Sequence, residues 1–95
     1  MRGRYTPRSR RDLQAIFEFI DARSPGGARA VKGAIVNAIR RLESQPRLAP
    51  PTDEPGVHEL TVPRRTYKVY YHFADGAVSI IHIRDTQRGQ WDGER

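Results

Sequence analysis

The segment YKVYYHFADGAVSIIHIRDTQRGQW, residues 67–91, decides the fold. Tyr67, Val69, Tyr71 and Phe73 alternate with Lys68, Tyr70 and His72, the two-residue period of a strand with two unlike faces. Asp75-Gly76 is a hairpin turn pair, because a type I′ turn needs positive φ at both central residues and Asp and Gly tolerate it best. In the returning run AVSIIHIR, strict alternation puts Ile81 and Ile83 on one face and Ile80 and His82 on the other. His72 and His82 then lie in facing strands, either as a cross-strand pair or as separate polar residues of an exposed face. The most apolar stretch therefore forms a hairpin near the end of the chain, with a charged and amide-rich tail from about residue 89 left to face something else.

Upstream, VHELTV alternates weakly, Val57, Glu59 and Thr61 against His58, Leu60 and Val62. Residues 46–55 hold four prolines and cannot be regular structure, since each proline removes a donor and restricts its predecessor. Two helical stripes precede this loop. Leu13, Ile16, Phe17 and Ile20 recur at three- and four-residue steps between Arg8 and Arg23, and Ala28, Val31, Ile35, Ile39 and Leu42 do so up to about Ser44. Ser24 is expected to cap the second helix, with Pro25 at its first helical position. Ala30, Ala34 and Ala38 allow close approach along it. Tyr5 and Thr6 suit a short first strand that Pro7 terminates. The order is β-α-α-β-β-β: an α+β fold with a helical hairpin on one face of a small, mostly antiparallel sheet.

Ninety-five residues suffice for one domain, spanning 1–95. A chain this short buries only about 60–65% of its unfolded surface, so a partner that extends the core is plausible on size alone. Absence of cysteine excludes disulfide scaffolds and thiol catalysis. His58, His72 and His82 fit no metal spacing, and no apolar run reaches membrane-spanning length, so no metal, cofactor or membrane is expected and the location expected is cytoplasmic. Fifteen Arg against two Lys and a net charge of +6 favour contact with nucleic acid, an acidic protein, or both. The charges group as Arg2, Arg4, Arg8, Arg10 and Arg11, then Arg64, Arg65 and Lys68, then Arg84 and Arg88; a sheet that gathers them would have one basic face. Tyr67, Tyr70 and Tyr71 can stack on bases or pack, and Trp91 either folds back on the sheet or anchors a partner.

YTPRSRRDLQAIFEFIDARSPGGA, IRRLESQPRLAPPTDEPGVHEL, YKVYYHF and IIHIRDTQR, in that order from Arg4 to Arg88, resemble the RelE/ParE superfamily of toxins, the ParE branch most of all. The resemblance implies the toxin of a type II toxin-antitoxin pair, bound by a ParD-like antitoxin with a ribbon-helix-helix half, so that operator DNA is reached only through the antitoxin. ParE-like members inhibit DNA gyrase by protein contact. RelE-like members cleave messenger RNA on the ribosome, which needs a proton acceptor and cations around the phosphate. Lys68 and Arg88 match the basic positions of that second pattern. Asp85, however, stands where many superfamily members have His, and the tail offers Asp92, Glu94 and Trp91 but no Tyr or His. A gyrase inhibitor with an effector surface of Arg64, Arg65, Lys68, Arg84, Arg88 and Trp91 is therefore expected. Leu13, Ile16, Phe17, Ile20, Ile35 and Ile39 are expected in the core, and against the antitoxin where the sheet leaves them uncovered. The alternatives are a ribosome-dependent ribonuclease using Lys68 and Arg88, or a non-toxic partner-binding module of the same fold.

Overall fold

The computed structural model describes residues 1–24 and 26–87, so Pro25, Arg88, Trp91 and the tail lie outside the described residues. Strand β1 (Arg2–Tyr5) leads into helices α1 (Pro7–Arg23) and α2 (Gly27–Ser44), followed by β2 (His58–Thr61), β3 (Tyr67–Ala74) and β4 (Ala77–Asp85). The sheet order is β1-β4-β3-β2, with β1 parallel to β4 and the other pairs antiparallel. This is the expected α+β arrangement.

The core lies between the sheet and the helical hairpin. Ile35 and Leu42 of α2 are fully buried with Val69, Tyr71, Val78 and Ile80, and each such aliphatic side chain contributes about 1.5–3 kcal/mol through burial. Asp75 and Gly76 both have positive φ, 51° and 76°, as the type I′ turn requires. The proline-rich loop is tied down by the core. Tyr71 donates its hydroxyl to Pro46 O at 2.8 Å, His58 Nδ1 lies 2.9 Å from Ala49 O, and the His58 ring stacks on Tyr71 with centroids 5.4 Å apart.

Two local expectations fail for physical reasons. Ser24 does not start α2; it closes α1, its N–H donating to Ile20 O at 2.8 Å and its carbonyl accepting from Gly27 N. The N-cap of α2 is Gly26 at φ 90°, a left-handed conformation that reverses the chain at little cost only for glycine. Strict alternation also fails in β4. Tyr70 pairs with His82 and Tyr71 with Ile80, so Ile81 is an extra residue that shifts the phase. Ile80 and Ile83 are consequently buried, while Ile81 is half-buried and His82 faces outward with Tyr70.

Thr6 is the joint between strand and helix rather than part of the strand. Its N–H and Oγ1 both donate to Ile80 O, at 3.2 and 2.8 Å, while Oγ1 accepts from Ser9 N at 3.2 Å as the N-cap of α1. Replacing Thr6 by Ala should destabilise the fold by about 1–2 kcal/mol, whereas Thr6→Ser should retain most of the stability; urea denaturation midpoints distinguish the two.

Candidate functional site

The sheet has one face against the helices and one face away from them. Tyr67, Val69 and Tyr71 point into the core, so Lys68, Tyr70 and His72 occupy the other side of β3. By register, Glu59 and Thr61 of β2, Ser79, His82 and Arg84 of β4, and Arg2 and Arg4 of β1 share that outer face. The expected basic face thus exists in part: Arg2, Arg4, Lys68 and Arg84 are gathered there, Arg8 stands at its rim, and Arg64 and Arg65 are exposed in the turn before β3. Arg10 is elsewhere, beside α2.

These cations are not equally free. Lys68 Nζ is paired with Glu59 Oε2 across the strands, which neutralises its charge locally. Arg84 is exposed, its guanidinium 6.0 Å from the centre of the Tyr70 ring. Asp85 serves the fold. Its Oδ1 accepts from Thr66 Oγ1 at 2.9 Å and Gln87 N at 3.1 Å. Nor do the two outward histidines pair, because His72 faces Ser79 and His82 faces Tyr70.

His82 has a different partner. Its Nδ1 lies 2.7 Å from Asp12 Oδ2, and the same carboxylate oxygen accepts from Ile83 N at 3.0 Å. Arg8 Nε approaches that oxygen at 4.0 Å. The Tyr70 and His82 rings are nearly parallel, 15° apart with centroids at 5.6 Å. Asp12 falls off the apolar stripe of α1, and nothing in its spacing marks it as a partner of His82.

A second surface lies along the helices. Ile16, Ile35 and Ile39 are 4%, 0% and 3% exposed, so the sheet covers them and they offer nothing to a partner. Leu13 and Phe17 are half-buried and, with Tyr5 and Val36, line a mostly apolar groove of about 470 Å³. Arg10, Glu18 and Lys32 lie along it. Ile20 is half-buried beside the core. Burial, and secondarily the nearby Glu43 carboxylate, pushes the Tyr5 phenol above its ordinary range, so it lines the groove uncharged at neutral pH. Among the described residues no group of three His, Asp or Glu side chains is placed to hold a metal. No described helix is long and apolar enough to cross a membrane.

A sequence profile described as the ParE toxin of type II toxin-antitoxin system, parDE, matches residues 4–89. The fold is similar to that of a chain from the chromosomal ParDE system of P. aeruginosa, at 23% identity and a TM-score of 0.79, over 90% of this chain and 95% of that one. It is also similar to a chain of the RelBE2 toxin-antitoxin complex of Mycobacterium tuberculosis, at 25% identity and a TM-score of 0.59, over 88% and 95% of the two chains. No curated protein sequence matches the chain.

Removing the Asp12 carboxylate strands a backbone donor and an imidazole together. Asp12→Ala should cost about 1–3 kcal/mol in denaturant titrations. Asp12→Asn, which keeps an oxygen for Ile83 N, should lose less while still shifting the His82 ring resonances.

Proposed function

Because this chain belongs to the ParE toxin family of type II toxin-antitoxin systems, we propose that it inhibits DNA gyrase by protein contact and is neutralised by a cognate antitoxin seated on its helical groove. The observation that carries the reading is the state of the outer-face chemistry. Lys68 is neutralised by Glu59 and Asp85 is engaged with Thr66, while Arg64, Arg65 and Arg84 stay exposed. A contact surface needs exposed, oriented cations and aromatic area. RNA cleavage through Lys68 and Arg88 needs a free ammonium that the Glu59 pairing takes away.

The groove supports the second half of the reading. Its apolar lining of Leu13, Phe17 and Val36, with Arg10 and Lys32 against the one carboxylate of Glu18, suits a segment with apolar anchors and acidic flanks. Among its structural neighbours, the RelBE2 chain comes from a complex of toxin with antitoxin. In the proposed pair the antitoxin is of the ribbon-helix-helix type and carries the contact with operator DNA, while the toxin contributes none of the operator recognition. Target and antitoxin then use opposite sides of the sheet, the effector face on one and the helices on the other.

The test is supercoiling of relaxed plasmid by gyrase, titrated with the purified chain and reversed with the antitoxin. Dose-dependent loss of supercoiling is expected, and no effect from folded protein would overturn the gyrase assignment. Two variants should separate the surfaces. Leu13→Glu is expected to weaken antitoxin binding about tenfold or more and leave inhibition intact. The double variant Arg65→Glu, Arg84→Glu is expected to lose inhibition and keep the antitoxin.

A further inference from the structure

The turn ahead of β3 keeps an arginine where its backbone calls for glycine. Residues 62–65 form a β-turn closed by Arg65 N donating to Val62 O at 3.1 Å, with Pro63 and Arg64 at its centre. Arg64 has φ 62°, and a positive φ directly after a proline is the type II pattern, which favours Gly or Asn at that place. Among the described non-glycine residues only Asp75 also has a positive φ, and its hairpin turn demands one. We propose that Arg64 is the residue through which the chain grips an acidic side chain of its protein target, presented on a rigid turn that Thr66, Asp85 and Thr86 hold in place. The proposal rests on the gyrase-contact reading above and names the chemistry of that contact.

Nothing within the described fold offsets the backbone cost. In the left-handed region a Cβ crowds the following carbonyl oxygen, and Gly would make the same turn without that strain. The Arg64 side chain is exposed, and among the described residues it has no hydrogen-bonding, ionic or ring partner. Residues held against their backbone preference cluster where a side chain has a function. An exposed guanidinium without an internal partner functions by contact with something outside the chain.

The turn is fixed from both ends. Val62, fully buried, donates its N–H to Tyr67 O at 3.0 Å. Thr66 O accepts from Thr86 N at 2.9 Å and from Thr86 Oγ1 at 2.7 Å, and Thr66 Oγ1 donates to Asp85 Oδ1 at 2.9 Å. Preorganisation of that kind lowers the ordering cost of binding. Tyr67 lies opposite Asp85 and Lys68 opposite Arg84, so the turn sits at the same end of the sheet as Arg84. Glu59 and Asp85, the carboxylates of β2 and β4, are engaged with Lys68 and Thr66. Neither neutralises Arg64, so its guanidinium is open to a carboxylate from outside, which it binds through paired N–H donors. A DNA duplex offers charge as a repeating rail that any exposed arginine meets, whereas one preset turn suits one fixed acid.

Inhibition of gyrase supercoiling, direct binding of the full chain to gyrase without DNA, and thermal unfolding test the assignment together. Arg64→Gly is expected to weaken inhibition and gyrase binding about tenfold or more while its thermal midpoint stays level or rises by a few degrees. A merely structural role would move activity and stability in the same direction. Arg29→Ala, the same loss of charge on α2, should leave inhibition unchanged. Thr66→Val removes the hydroxyl that Asp85 holds, and it should weaken inhibition by a larger factor in the wild type than in the Arg64→Gly background, because the latch acts through Arg64. A wild-type chain without effect on supercoiling removes the gyrase reading and this proposal together. With inhibition established for the wild type, the proposal alone is overturned by full inhibition in Arg64→Gly, by a lowered midpoint in that variant, by an equal Thr66→Val effect in both backgrounds, or by a loss of plasmid affinity matching the loss of gyrase affinity.

Discussion

The central strand β4 has a partner on one side for only part of its length. β1 ends at Tyr5, opposite Ile80, and the polar backbone of residues 81–85 would otherwise face an apolar helix without acceptors or donors. Burying such groups unpaired costs more than the fold can spare. The start of α1 meets that need. Thr6 donates twice to Ile80 and weakly to Ile81 O at 3.3 Å, and Asp12, one and a half helical turns on, accepts from Ile83 N. Helix α1 thus acts as a substitute strand, and this fixes its position over the sheet.

The position of α1 has effects on both sides. On the core side it brings Ile16 against the sheet and leaves Leu13 and Phe17 at the edge of α2, where the groove forms. On the outer side the same Asp12 oxygen that serves Ile83 also holds His82, so a requirement of the backbone sets the geometry of a side chain on the outer face. The two sheet edges are also guarded. Glu43 Oε2 accepts from Gly3 N at 2.8 Å beside β1, and Pro50 O accepts from Glu59 N at 3.1 Å beside β2. Guarded edges direct partners to the two faces.

Much of this was legible in the chain. Both helices, the alternation of β3 and the Asp75-Gly76 turn follow from spacing and turn chemistry, because each is decided by neighbours a few residues away. What escaped depends on residues far apart or on phase. The bond between Asp12 and His82 joins positions 70 residues apart, and no periodicity announces it. Ser24 and Pro25 resemble a helix start, yet the adjacent glycines offered a left-handed residue that reverses the chain more tightly, and Ser24 was left to end α1. Lys68 was legible as an outward-facing cation but not as one with a cross-strand carboxylate, since Glu59 lies beyond the intervening turn.

The extra residue at Ile81 makes the chain's inside and outside a matter of counting. Before it, even-numbered positions such as Val78 and Ile80 are buried; after it, odd-numbered Ile83 takes that place. Two isoleucines in succession let the strand change parity without exposing a charge or burying one. The effect of losing a residue in this stretch therefore depends on where it is lost. Loss of Ile81 itself would restore simple alternation and leave His82 and Arg84 opposite Tyr70 and Lys68 on the outer face, whereas loss of a residue on either side of the shift would put the two halves of the strand out of phase with β3. The bulge is thus the one place in β4 where the strand can lose a residue and keep both of its faces.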